Sequence, residues 1–202
     1  MARIAAVVSN GCAPDPRVIR EAKWCTEQGH DVVIHAFDRL QNLPDSEVID
    51  GVQITRHRVG LVPYGGTWST WRGLRRFLAS VADSMGPVDL LHCHDADTLS
   101  LANSMNDIPV LFDMHDLHHT WVRMPAPNSL IRRLISTQMK NNMLRRAKSA
   151  SSIITSSPGF SEWLQDHDLN STVVENRPPR AEIPSFPNQF TIGYFGRIRE
   201  IE

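Results

Sequence analysis

Apolar runs recur along the chain and break off into polar residues at their carboxyl ends. Ile4-Ala5-Ala6-Val7-Val8 meets Ser9-Asn10-Gly11, Val88-Asp89-Leu90-Leu91 meets His92-Cys93-His94-Asp95, and Val110-Leu111-Phe112 meets Asp113-Met114-His115-Asp116. Near-continuous runs of this kind fit strands buried on both faces of a parallel sheet, whose carboxyl ends form the crevice where such sheets bind ligands. The pattern predicts strands over 3–8, 31–37, 88–93, 110–114, 152–156 and 172–175. Asp15 and Pro16 fit the cap and first position of a helix, Val18, Ala22 and Cys25 share one of its faces, and Gly29 supplies a left-handed stop. Helical stretches follow over 68–85, 97–105, 129–150 and 158–167. Asp50-Gly51 between Glu47-Val48-Ile49 and Val52-Gln53-Ile54-Thr55 reads as a hairpin whose second arm joins the main sheet.

Strands alternating with helices predict an α/β fold: a Rossmann-like, doubly wound, mostly parallel sheet with helices on both faces. That domain is read over 1–176. The prolines from Pro178 to Pro187 disfavour helix and interior strand and mark an interdomain linker over 177–189. Phe190-Thr191-Ile192-Gly193-Tyr194-Phe195-Gly196-Arg197 then reads, within 190–202, as the first strand of a second domain cut short.

Composition narrows the function classes. A hydrophobic share of 41% suits a globular core, and 21 basic against 22 acidic residues give the whole molecule no electrostatic reason to seek nucleic acid. Cys12, Cys25 and Cys93 lack metal or redox spacing, so a reducing cytoplasm is the expected location. The first apolar run is too short and lacks the cleavage pattern of a signal peptide, and no run approaches the roughly 20 residues that span a bilayer.

Candidate chemistry sits at the strand ends. Asn10-Gly11 before a helix start offers backbone N–H groups to an anion, although Gly11 equally suits a tight turn and the glycine fingerprint of dinucleotide folds is missing. Alternation places Asp113 and His115 on one strand face, Met114 and Asp116 on the other. His92 and His94 also share a face and, with Asp95 and Asp97, raise the idea of a metal; Asp97 fits better as a helix cap and Asp95 as a polar contact to a ligand at the cleft floor, so no metal is expected. Arg17 stands on the first helical turn, equally readable as a ligand contact or a solvated charge.

Several separated segments together resemble the amino-terminal, acceptor-binding half of a retaining GT-B glycosyltransferase of family four. They are Asp15-Pro16-Arg17-Val18 with Glu21-Ala22 and Gly29-His30-Asp31-Val32, His92-Cys93-His94-Asp95, Phe112-Asp113-Met114-His115-Asp116-Leu117 with Asp116 where the family usually has Glu, Val173-Val174-Glu175-Asn176, and Gly193-Tyr194-Phe195-Gly196-Arg197. The resemblance implies transfer of a sugar from a nucleotide-sugar donor, a substrate and not a cofactor, to an acceptor hydroxyl on a glycan, lipid-linked or small molecule. It implies His115 as the catalytic residue, Asn10, Gly11, Asp15, Arg17, His94, Asp95, Asp113 and Asp116 as substrate contacts, and Gly196 and Arg197 at the donor diphosphate. The family's later lysine and Glu-x7-Glu segment lie in a carboxyl-terminal donor-binding domain missing from this sequence, so the chain alone is expected not to turn over.

Other readings are a non-catalytic sugar- or nucleotide-binding Rossmann domain, a nicotinamide or flavin oxidoreductase, which the absent glycine fingerprint disfavours, and a His/Asp metal-dependent hydrolase. Trp68, Trp71, Leu74, Phe77, Leu78 and Val81 form a stripe beside Arg72, Arg75 and Arg76, and no Asp or Glu occurs from Leu117 to Ser161 while Arg123, Arg132, Arg133, Lys140, Arg145, Arg146 and Lys148 accumulate. A buried stripe with a wet basic rim is the plainer reading; peripheral contact with an anionic inner membrane face is the other.

Overall fold

The computed structural model describes residues 1–63, 67–105 and 107–177. Eight strands form one sheet in the order β3-β4-β2-β1-β5-β6-β7-β8: β1 (Arg3–Val8), β2 (Asp31–Phe37), β3 (Ser46–Ile49), β4 (Val52–His57), β5 (Leu90–His94), β6 (Val110–Met114), β7 (Ser152–Thr155) and β8 (Thr172–Val173). Every pairing is parallel except β3 with β4. The hairpin forms as its sequence predicts, with Asp50 and Gly51 both at positive φ (51° and 82°), the mirror-image turn that matches strand twist. Because β1 pairs with β2 on one side and β5 on the other, the strand order reverses there, which places the ligand crevice at the carboxyl ends of β1 and β5.

The helices are α1 (Pro16–Glu27), α2 (Thr67–Ser84), α3 (Asp95–Thr98), α4 (His118–Trp121), α5 (Leu130–Ala147) and α6 (Pro158–Gln165). Asp15 caps α1 as expected, its Oδ1 accepting the Val18 N–H at 3.4 Å, and Gly29 takes φ 83° just beyond the helix. Ile4, Ala6, Val8, Ile34 and Ala36 face α1 through Val18, Ile19 and Ala22. Ala5, Val7, Leu91, Cys93, Phe112 and Met114 face the opposite layer, with Phe77 and Val81 of α2 and Met143 of α5. Pleat alternation then dictates that His92 and His94 of β5 and Asp113 of β6 point to the α1 side.

Several features differ from the sequence reading. β5 begins at Leu90, since Asp89 is turned to the β1 end, its Oδ2 accepting the Arg3 N–H at 2.8 Å. The helix predicted over 97–105 starts two residues earlier and tightens into a 3-10 turn at Leu99–Ser104. Asp97 therefore lies inside α3 and does not cap it. Of the predicted stripe on α2, Phe77, Leu78 and Val81 are buried, while Trp68 and Trp71 stand in solvent. The linker from 178 onward and the strand over 190–202, with Gly196 and Arg197, fall outside the described residues.

Candidate active site

The tips of β5 and β6 meet in one hydrogen-bonded cluster. Asp113 Oδ2 accepts the His115 Nε2 proton at 2.5 Å, and the same oxygen lies 3.0 Å from His94 Nδ1 and 3.8 Å from His92 Nε2. Glu21, on the sheet-facing side of α1, closes the group at 3.8 Å from His92 Nε2 and 3.9 Å from His94 Nδ1. Burial, then the neighbouring Asp113 charge, pushes the Glu21 carboxyl up to about 9, so at neutral pH Glu21 keeps its proton beside the ionised Asp113. Burial also raises Asp113, but bonds from His115, His92 and His94 outweigh it and hold that carboxyl well below the usual range. Burial, reinforced by His92, lowers His94 to about 4, so its ring is neutral.

A second group ties the strand tips together. Asp95 takes a left-handed backbone (φ 63°), and its Oδ1 accepts the His115 backbone N–H at 3.0 Å. Its Oδ2 lies 3.7 Å from the Arg17 guanidinium and 3.9 Å from His118 Nε2. His118 Nδ1 faces Asp97 Oδ1 at 3.4 Å, and Ser9 donates to Asp97 Oδ2 at 3.3 Å. Burial opposes both charges, yet each partner overcomes it: His118 is raised by Asp97, and Asp97 is lowered by His118 and Ser9.

Two cavities on this edge adjoin Arg17 at the start of α1. One, about 420 Å³, is lined by Arg17, His115, Asp116, Ser156, Glu175, Asn176 and Arg177. The other, about 270 Å³, is lined by Ser9, Asn10, Arg17, Asp95, Asp97, Asp116 and His118 among others. Arg17 and Asp116 border both, so the two strand tips and the α1 start share one polar crevice. The predicted residues divide accordingly. Asn10, Arg17, Asp95, His115 and Asp116 reach the crevice. His94 and Asp113, each 1% exposed, are buried beneath it, where Asp113 supports His115. Asp15 is spent on capping α1 and on the Asn10 amide.

A Cβ at Gly11 would meet Leu43 Cδ1, the end of a flexible side chain, at 2.6 Å, and the Gly11 carbonyl accepts from Arg56 Nε at 2.7 Å. Sequence reasoning missed Glu21, His118 and Arg56, although two carried a signal. Glu21 is three residues from buried Val18 on α1, and Arg56 continues the inward alternation Val52, Ile54, Arg56 on β4.

Metal-sized spacing occurs in Glu21, His92, His94 and Asp113, and again in Asp95, Asp116 and His118, whose donor atoms lie within 4.8 Å of one another. In the first set Asp113 Oδ2 is already engaged by His115, and His94 Nε2 lacks the acceptor that orients a metal-bound histidine. In the second, Arg17 and His118 already supply positive charge to Asp95.

The retained proton gives Glu21 a measurable signature. The unfolded chain releases this proton at about 4.5 and the folded one near 9, so folding must retain a proton across that window and stability from this residue is lost as pH rises through it. Glu21→Gln keeps a donor without that cost. Its melting temperature relative to the parent is expected to rise steadily between about pH 5 and about pH 8; a difference independent of pH removes the proton from Glu21.

Comparison with known proteins identifies the family and the fold. The family model described as "Glycosyl transferase 4-like domain" matches residues 14–178. No curated protein matches the chain. Among solved structures, sucrose-phosphate synthase from Thermosynechococcus elongatus superposes with TM-score 0.65 at 16% identity, covering 87% of this chain and 48% of that one. The catalytic domain of starch synthase IV from Arabidopsis thaliana, bound to ADP and acarbose, gives 0.57 at 13% identity, covering 87% and 51%. The chain thus spans about half the length of these structures, and the likeness at such identities is one of fold. With the family model covering most of the sequence, the chain belongs to the glycosyl transferase 4-like domain family.

Proposed function

We propose that this chain is the acceptor-binding half of a retaining glycosyltransferase that moves a hexosyl group from a nucleotide sugar to an acceptor hydroxyl, with no metal at the reacting centre and the donor held chiefly by a second domain. The observation that carries the reading is His115, fixed by Asp113 at 2.5 Å on the wall of the 420 Å³ cavity. With Nε2–H committed to Asp113, Nδ1 is the ring atom left to meet a sugar hydroxyl. Arg17 supplies positive charge beside it, and Asp95 and Asp116 offer acceptors for hydroxyl protons. Departing diphosphate is met by cationic side chains and helix starts, to which Gly196 and Arg197 of the second domain contribute. The work is cytoplasmic, and this half alone does not turn over.

His115→Ala in the intact protein is expected to slow transfer roughly tenfold to hundredfold, the worth of about 1.5–3 kcal/mol for a charge-assisted hydrogen bond. Release of nucleoside diphosphate across a panel of nucleotide sugars measures it. Unchanged transfer with an unchanged melting temperature takes His115 out of the site, and nucleotide-sugar binding without any release favours a non-catalytic binding domain.

A further inference from the structure

We propose that the rim built from α4 and the amino-terminal halves of α5 and α2 docks onto an anionic lipid surface, and that the acceptor is accordingly one carried on the membrane. The second clause rests on the transferase reading; the docking does not.

The start of α5 stands clear of the body. Leu130, Ile131 and Leu134 are 72%, 70% and 71% exposed, and Ile135 is also in solvent, whereas the buried apolar side chains of this helix, Met143 and Ala147, lie in its second half. An amphipathic helix hides its apolar stripe; here the stripe faces outward. On the neighbouring helix, Trp68 is 67% exposed and stacks on Trp71 at 4.8 Å, with the Arg75 guanidinium 4.9 Å above the Trp71 ring. Both helices lead into parallel strands, so both begin at the carboxyl edge of the sheet, the edge that carries the crevice. Exposed Trp121 of α4 joins the two regions, packing on His118 at 4.5 Å. A groove of about 670 Å³ between α2 and α5 ends at Asp97, Asp116 and His118.

Charge selects the occupant. From Leu117 to Ser161 the chain has no Asp or Glu but carries seven Lys and Arg, among them exposed Arg123 and Arg133 beside the apolar wedge. Aliphatic and tryptophan side chains flanked by unopposed arginines match the interface of a bilayer, where tryptophan settles at headgroup depth and basic residues meet anionic lipid. Among the described residues no helix is long and apolar enough to cross a membrane, so the contact is one of surface docking.

The test is sedimentation of the full chain with vesicles of phosphatidylcholine containing about one third phosphatidylglycerol, against pure phosphatidylcholine. The anionic vesicles are expected to bind at least about tenfold more protein, and the combined Leu130→Ser, Ile131→Ser and Leu134→Ser variant to lose at least about tenfold of that binding with its melting temperature unchanged. Arg133→Glu is expected to weaken it further and to flatten its salt dependence. Equal sedimentation with both vesicle types overturns the proposal, as does full binding by the triple variant. A parent that is dimeric by light scattering and a monomeric triple variant with undiminished vesicle binding assigns the wedge to self-association and also overturns it. Docking by this chain, with an intact protein that releases nucleoside diphosphate to a soluble acceptor but transfers to no lipid-borne hydroxyl, refutes the acceptor clause alone.

Discussion

Asp113→Ala is expected to destabilise the fold by roughly 3–5 kcal/mol and to abolish most transfer, because it removes the one acceptor around which a buried polar cluster is organised. Asp113 is 1% exposed and accepts from His115 Nε2 at 2.5 Å while facing His94, His92 and the Glu21 proton. Alanine leaves the His115 donor and the Glu21 hydroxyl without a partner and without water, at about 1–3 kcal/mol for each buried orphan. Asp113→Asn retains a carbonyl that can still accept from His115, so its loss should be distinctly smaller. Urea midpoints and nucleoside diphosphate release in the two variants check the ordering, and an alanine variant with the parent's midpoint contradicts the whole account of the cluster.

A comparable loss, about 3–5 kcal/mol, is expected for Arg56→Ala, although Arg56 itself lines neither cavity of the crevice. The Arg56 side chain is fully buried, donating to Gly11 O at 2.7 Å, Pro44 O at 3.1 Å and Cys12 O at 3.2 Å, and pairing with Glu47. One guanidinium thus holds the loop between β1 and α1 against the β3–β4 hairpin. Lysine has one terminal nitrogen where four acceptors are spread, so Arg56→Lys should recover little. Urea unfolding gives the magnitude, and hydrogen exchange at Cys12 and Val18 should quicken first. Protection there equal to the parent's would show that the loop is held by something else.

The frame of the sheet was legible because its strands are runs long enough to declare themselves: β1, β2 and β6 fall where the apolar pattern puts them. That Asp113 and His115 lie on one face was legible too, since it follows from two-residue alternation; the hydrogen bond between them is a finding of the structure. What escaped were features set by distant partners. Asp95 enters a helix straight from the strand because its side chain is held by the His115 amide, twenty positions away, which no local propensity encodes. The four residues of α4 are too few to show a period, so no element was predicted over His118. Arg56 and Glu21 sat at inward positions of otherwise apolar faces, and charge alone made them look like surface.

Asp95 has one more implication, for which replacements its position tolerates. Its carboxylate is a strut of fixed length between two neighbouring strand ends, set by a single methylene and not by packing that can give way. Glutamate preserves the charge yet adds about 1.5 Å of reach, where a working centre must hold its parts to about 0.5 Å. Asparagine, which accepts the same amide proton and sits easily in a left-handed backbone, is the milder replacement: at this junction dimension outranks electrostatics.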